Sequence, residues 1–123
     1  MFKSSLESVT GSRSALGFQP KRKVLVVLVD GMGAENVLAR AGHASKLAAA
    51  IKQGAVGYSA FPSTTSSNIA SFATALEPGE SGFIGQAVHD RHFGRNLNLL
   101  NGWTDETDPL LWQPNPTVSE QAF

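Results

Sequence analysis

Asp30 closes the run Lys23-Val24-Leu25-Val26-Val27-Leu28-Val29, and Gly31-Met32-Gly33 follows it. A carboxylate at the C-terminal end of a buried parallel strand sits where open α/β sheets bind their ligands. One helix-length later comes a second polar cluster, Phe61-Pro62-Ser63-Thr64-Thr65-Ser66-Ser67-Asn68. An alcohol is a poor nucleophile at neutral pH, and coordination to a metal or an adjacent base makes it an effective one. No histidine lies close to the hydroxyls in sequence, so a shared cation fits better than a triad. Asn68 lies three residues after Thr65, one helical turn on, where both side chains can face one pocket. Its amide could donate to a phosphoryl oxygen as charge builds there. The two clusters together spell metal-assisted phosphoryl chemistry.

Each residue also has a plainer role. Asp-Gly is a common turn pair, so Asp30 also reads as a turn or cap residue. Ser and Thr ahead of an Ala-rich segment are ordinary N-caps, so one hydroxyl can cap the helix while another reacts. Asn68 also has a plainer reading as a surface helix residue. His43 reads as a residue at a helix break. His89-Asp90-Arg91-His92 has a metal-like composition but serves as well for an exposed loop, and no metal is placed there. Gly31-Met32-Gly33 lacks the third glycine of the dinucleotide fingerprint, and no Walker-type Gly-Lys-Ser/Thr occurs.

The elements that must hold these residues can be read from hydrophobic period. Val24 to Val29 is apolar on both faces, as in a parallel strand covered on both sides. From Ala34 to Gln53, apolar residues recur at three and four, with a break at Gly42-His43. This predicts two short helical pieces or one kinked helix, stopped by Gly54. Ala55 to Ala60 reads as a second short strand, completing a right-handed strand, helix, strand unit. Asn68 to Leu76 is Ala-rich, with Ile69, Phe72 and Leu76 at helical spacing, so Thr64 to Ser67 fall at or just before a helix N-terminus. Such a terminus suits bound phosphate oxygens. Residues 77–82 carry a turn signal, 83–88 form a further candidate strand, and Asn96 to Phe123 shows no clear period. Residues 4–17 are spaced for a short leader helix closed by Gly17. The fold class is α/β, a partial parallel sheet flanked by helices, with residues 1–20 a leader and 21–123 the main domain.

Composition narrows the functions. The 123 residues are 41% hydrophobic and 16% charged, ordinary for one globular domain. Ten basic residues balance ten acidic ones. Neither nucleic acid nor a membrane surface is therefore an indicated partner. The absence of cysteine excludes disulfides, thiolate metal sites and a cysteine nucleophile. With no secretory h-region and no long apolar span, the expected location is cytoplasmic.

Three segments in order resemble the type I phosphodiesterase and nucleotide pyrophosphatase group of the alkaline phosphatase superfamily. They are Val-Leu-Val-Asp-Gly-Met-Gly at 27–33, Phe-Pro-Ser-Thr-Thr-Ser-Ser-Asn at 61–68, and Ala-Thr-Ala-Leu-Glu-Pro-Gly-Glu-Ser-Gly-Phe-Ile-Gly at 73–85. The resemblance implies an alkaline-phosphatase-like sheet and a hydrolase with two zinc-like divalent ions acting on a small phosphoester. In it a Thr hydroxyl attacks phosphorus and water then releases the covalent intermediate. By position, Asp30 matches a metal-ligand aspartate and Asn68 the phosphate-oxygen donor. Thr65, which alone keeps the spacing to Ala-Thr-Ala-Leu, matches the nucleophile that also touches a metal. Ser81 stands where the family has a His before Gly82. Ser66 and Ser67 replace a Phe-Pro found after the nucleophile in nucleotide-selective members. The family's other ligands, Asp and His groups, come from downstream sequence, so this chain is expected to be an N-terminal portion with weak or no activity of its own. A phosphatase or phosphomutase of the same superfamily, or a non-catalytic phosphate-binding fragment, would use the same residues.

Overall fold

The computed structural model describes residues 1–122. The helices are α1 (Phe2–Thr10), α2 (Ala34–Ala39), α3 (Ser45–Gln53), α4 (Thr65–Thr74), α5 (Pro78–Ser81) and α6 (Pro109–Trp112); the strands are β1 (Ala87–Asp90) and β2 (Arg95–Asn98), and a 3-10 turn covers Glu120–Ala122. The chain divides into two units, one of Val27–Ser59 and one of Met1–Val26 with Ala60 onward.

Within Val27–Ser59, the two helical pieces read from the sequence are present. Helix α2 ends at Ala39, the chain turns with His43 N–H donating to Arg40 O at 2.9 Å, and α3 begins at Ser45. Gly54 stops α3, its N–H donating to Ala50 O. It does so in extended backbone, with φ −96° and ψ 175°, rather than in the left-handed cap that glycine usually provides. Val37 and Ala48 are the buried apolar side chains here.

In the other unit, the leader forms a helix with different limits. α1 starts at Phe2 and is closed by Gly11 at φ 76°, whose N–H donates to Glu7 O, so Gly11 rather than Gly17 provides the left-handed cap. Gly17 closes a separate turn through its N–H to Ser14 O at 3.0 Å. α1 buries the small residues Ser4, Ser5 and Ser8. The Ser8 hydroxyl donates to Gln19 O, and Ser8 O accepts from Lys21 N–H, which folds residues 11–20 back along the helix. Phe2 stacks on Phe72 of α4 with ring centroids 5.0 Å apart.

Residues 96–122, aperiodic in sequence, supply much of this unit's core. Leu97, Leu99 and Val118 are buried, and Val118 N–H donates to Ala73 O of α4 at 2.7 Å. Full burial of a Leu or Val side chain is worth roughly 1.5–3 kcal/mol, so these three rank among the main holding contacts. Trp103 lies between Phe83 at 6.1 Å and Trp112 at 6.4 Å, and its indole N–H reaches Leu99 O.

The strands differ from the sequence expectation. Residues 24–29 and 55–60 carry no strand, and among the described residues the one sheet is the antiparallel pair β1–β2, with Ala87 opposite Asn98 and Asp90 opposite Arg95. A strand is defined by a ladder to a neighbour, and the valine-rich run has no paired neighbour here, so its side chains stay in solvent, Leu25 88% and Val27 69% exposed. Among the described residues the elements are helices and a small antiparallel sheet, with no parallel sheet shown. The strand anticipated at 83–88 begins instead at Ala87, and Gly85 O accepts the Ser66 hydroxyl of α4. The turn anticipated at 77–82 is the single helical turn α5, held by a reciprocal capping box between Glu77 and Glu80.

Candidate functional site

The hydroxyl cluster builds the start of α4. Thr64 is the N-cap, with φ −97° and ψ 154°, and its Oγ1 accepts from Ser67 N–H and lies 2.8 Å from Ser67 Oγ. Thr64 and Ser67 stand three apart, the spacing by which an N-cap hydroxyl meets an orphan amide of the first turn. Ser67 is fully buried at 0% exposure, and Ser66, also buried, donates to Gly85 O at 2.7 Å. Three of the cluster's hydroxyls are thereby committed to holding the helix in place.

Thr65 is the first residue of α4 and is half-buried. It and Asp30 both take part in interactions within the chain. The first turn of α4 carries no acidic side chain of its own, and its N-terminal end is the positive end of the helix dipole. The segment leading into Thr64 includes a cis Phe61–Pro62 peptide.

Asn68 follows Thr65 by one turn, as expected, and it has a task the sequence reading missed. Its Oδ1 accepts from Ala60 N–H at 2.9 Å and its Nδ2 donates to Thr64 O at 2.9 Å. The carboxamide thus ties both ends of the 60–64 approach to the helix that carries Thr65. One proton on Nδ2 remains beyond the bond to Thr64. Nothing in the sequence signals the Ala60 contact, because it joins residues eight apart across a loop without regular structure.

Asp30 belongs to the Val27–Ser59 unit and is exposed to solvent, just before Gly31 at φ 67° and three residues ahead of Gly33, the N-cap of α2. It stands at a turn, as its plainer reading had it. Thr65 belongs to the other unit.

The His89–His92 group is a hairpin. His89 Nδ1 lies 3.2 Å from Asn96 Oδ1 across the pair, and buried Asp90 accepts from the N–H groups of His92 and Phe93. Asp90 is therefore consumed in shaping the turn. Among the described residues, no group of three or more His, Cys, Asp or Glu is placed to hold a metal ion. A zinc centre takes about four donors, so one Asp oxygen and one Thr hydroxyl do not fit a two-ion site on their own.

Among the described residues, no helix is long and apolar enough to cross a membrane. Neither the curated proteins nor the solved structures provide a match to this chain. The family model for type I phosphodiesterase / nucleotide pyrophosphatase does match, over residues 24–123. That stretch takes in Asp30, the whole hydroxyl cluster with Thr65 and Asn68, and the segment 73–85. By this coverage, most of its length, the chain belongs to the type I phosphodiesterase / nucleotide pyrophosphatase family.

Proposed function

We infer that this chain is the nucleophile-bearing part of a phosphoric ester hydrolase, with Thr65 as the attacking residue and Asn68 as a donor to the phosphoryl group. The observation that carries this reading is the position of Thr65 at the first residue of α4, immediately after a neighbour that caps the helix. An alcohol there lies beside the positive helix end, where phosphoryl oxygens are favoured. Thr64, Ser66 and Ser67 hold structural bonds, so the division of labour anticipated among the hydroxyls, one capping while another reacts, is consistent with the geometry.

The reaction in this reading is displacement at phosphorus. Thr65 Oγ1 loses its proton to solvent and bonds to phosphorus as the ester oxygen of the leaving group departs and takes up a proton from solvent; water then adds its hydroxyl to phosphorus and returns a proton to Oγ1, restoring the alcohol. Asn68, held at Thr64 O and Ala60 N–H, directs its remaining Nδ2 proton at a non-bridging oxygen. By the family resemblance, Asp30 and Thr65 each correspond to a residue that would offer an oxygen to a divalent cation, zinc in that resemblance. Because the donor set is incomplete, no step is assigned to that cation, and this polypeptide alone is expected to turn over slowly or not at all. The same reading makes 24–29 and 55–60 strands of an alkaline-phosphatase-like parallel sheet in the family's whole catalytic domain, with residues 1–20 ahead of it.

The test compares a chromogenic phosphodiester with the matching monoester, with zinc or manganese added and Thr65→Ala as control. Diester turnover abolished by Thr65→Ala supports the hydrolase. Faster monoester turnover would move the chain to a phosphatase or phosphomutase chemistry. Binding of either ester without turnover, unchanged by Thr65→Ala, would replace the catalytic reading with a phosphate-binding one.

A further inference from the structure

Asn101 is followed by Gly102, whereas Asn36, Asn68, Asn96, Asn98 and Asn115 precede Val, Ile, Leu, Leu and Pro. Asparagine is thermally labile. Its amide is lost when the next residue's backbone nitrogen attacks Cγ, and a branched or cyclic neighbour hinders that attack. Asn101 is exposed and lies in the turn that follows β2. We propose that Asn101 is a covalent modification site, converted to aspartate and isoaspartate through a cyclic imide with Gly102, and that a turn built on Asn98 holds the reaction off in the folded chain.

The reaction needs water alone. The Gly102 nitrogen gives its proton to solvent and bonds to Asn101 Cγ, while the Cγ–Nδ2 bond breaks and ammonia leaves with a proton from solvent. Water then adds to one imide carbonyl and the ring bond from that carbon to nitrogen breaks, the nitrogen regaining its proton. Opening at Cγ gives aspartate. Opening at the main-chain carbonyl gives isoaspartate, in which the chain continues through the former side chain.

The fold acts on the nitrogen that must attack. Gly102 N–H donates to Asn98 O at 2.7 Å. Asn98 Oδ1 accepts from Leu100 N–H at 2.9 Å and from Asn101 N–H at 3.4 Å, and Gln86 Nε2 reaches the same oxygen at 3.4 Å. Closing the five-membered ring rotates the Asn101–Gly102 peptide until its nitrogen meets Cγ, which takes the N–H off Asn98 O. Space is tight at the same place. A Cβ on Gly102 would lie 2.6 Å from Asn98 O and 2.7 Å from Asn98 N, both backbone atoms. Packing therefore demands glycine at 102, and glycine leaves the nitrogen unshielded once the turn opens. Isoaspartate adds a main-chain carbon between 101 and 102, so the converted chain does not re-form the Gly102–Asn98 bond. All of these residues lie in one unit, and the inference is independent of the hydrolase reading.

The test incubates the full chain at mildly alkaline pH, folded and in guanidinium chloride. Trypsin cuts after Arg95 and releases 96–123, which carries no further Lys or Arg, and tandem mass spectrometry locates the exchange of amide for acid within it. Conversion is expected at Asn101. In the folded chain it should be slowed by at least the protection factor of the Gly102 amide in hydrogen exchange, because ring closure needs the same opening and a further rotation. N98A removes the oxygen shared by Leu100, Asn101 and Gln86 and should speed folded-state conversion about tenfold. N98D keeps Oδ1 and should stay near the parent. Should N98A not fold, the comparison of exchange with conversion in the parent decides alone. Equal rates in the folded and unfolded chain would overturn the proposal. So would conversion less protected than Gly102 exchange, a folded N98A no faster than the parent, or conversion at Asn96, Asn98 or Asn115 in preference to Asn101.

Discussion

Thr64→Ala tests how the start of α4 is held, and its cost can be worked from the bonds it breaks. Thr64 Oγ1 accepts from Ser67 N–H and pairs with Ser67 Oγ at 2.8 Å, and Ser67 is fully buried. Loss of a Thr N-cap costs about 1 kcal/mol. A buried hydroxyl left without its partner adds about 1–3 kcal/mol. The 3.4 Å amide contact is long, which puts the cap term toward its lower end, so the sum comes to about 2 kcal/mol. With a urea m-value of about 1–3 kcal/mol/M, the unfolding midpoint should fall by roughly 1 M. Thr64→Ser keeps the oxygen and should recover most of the loss. Thr64→Ala with Ser67→Ala removes the stranded hydroxyl as well and should be more stable than Thr64→Ala alone. Urea titration followed by far-UV circular dichroism measures all of these. A single mutant within about 0.5 kcal/mol of the parent, the ordinary range for a surface change, would refute the account of the cap. A double mutant no better than the single would refute the account of the buried hydroxyl.

Two further outcomes follow from the same structure. Asn68→Leu strands Ala60 N–H and unties the 60–64 approach, so hydrogen exchange at the Ala60 amide should accelerate and stability should fall by about 1–2 kcal/mol; an unchanged exchange rate would show that Asn68 does not hold that segment. The carboxyl of Glu120 is held below the usual carboxylate range, first by the Thr117 backbone N–H at 2.6 Å and then by the Thr117 hydroxyl at 2.8 Å. A folded-state pKa depressed in this way stabilises the C-terminal turn above the unfolded value and is lost as pH falls through the folded one. An NMR titration should therefore show the Thr117 amide shifting at lower pH than an ordinary glutamate would produce, and the shift should vanish in Glu120→Gln. A Glu120 carboxyl titrating at its ordinary position would contradict this.

What could be read without the structure was local. The three-four period and the Gly42-His43 break set α2 and α3, because helical hydrogen bonds join residues four apart. The step from extended to helical backbone at Thr64 and Thr65 was marked by hydroxyls before an Ala-rich run, since a cap bonds only within its own first turn. The family, too, was legible, being carried by contiguous motifs around Asp30, Thr65 and Ala73. Long-range partners decided the rest. The apolar run 24–29 reads as a strand and is none here, because strand bonds come from a neighbour that no local pattern supplies. The aperiodic tail meanwhile yielded β2 and the buried Val118, whose amide reaches Ala73 far back in the chain. Asn68 shows both sides at once: its place one turn after Thr65 is a matter of spacing, whereas its hold on Ala60 depends on how a loop returns to a helix.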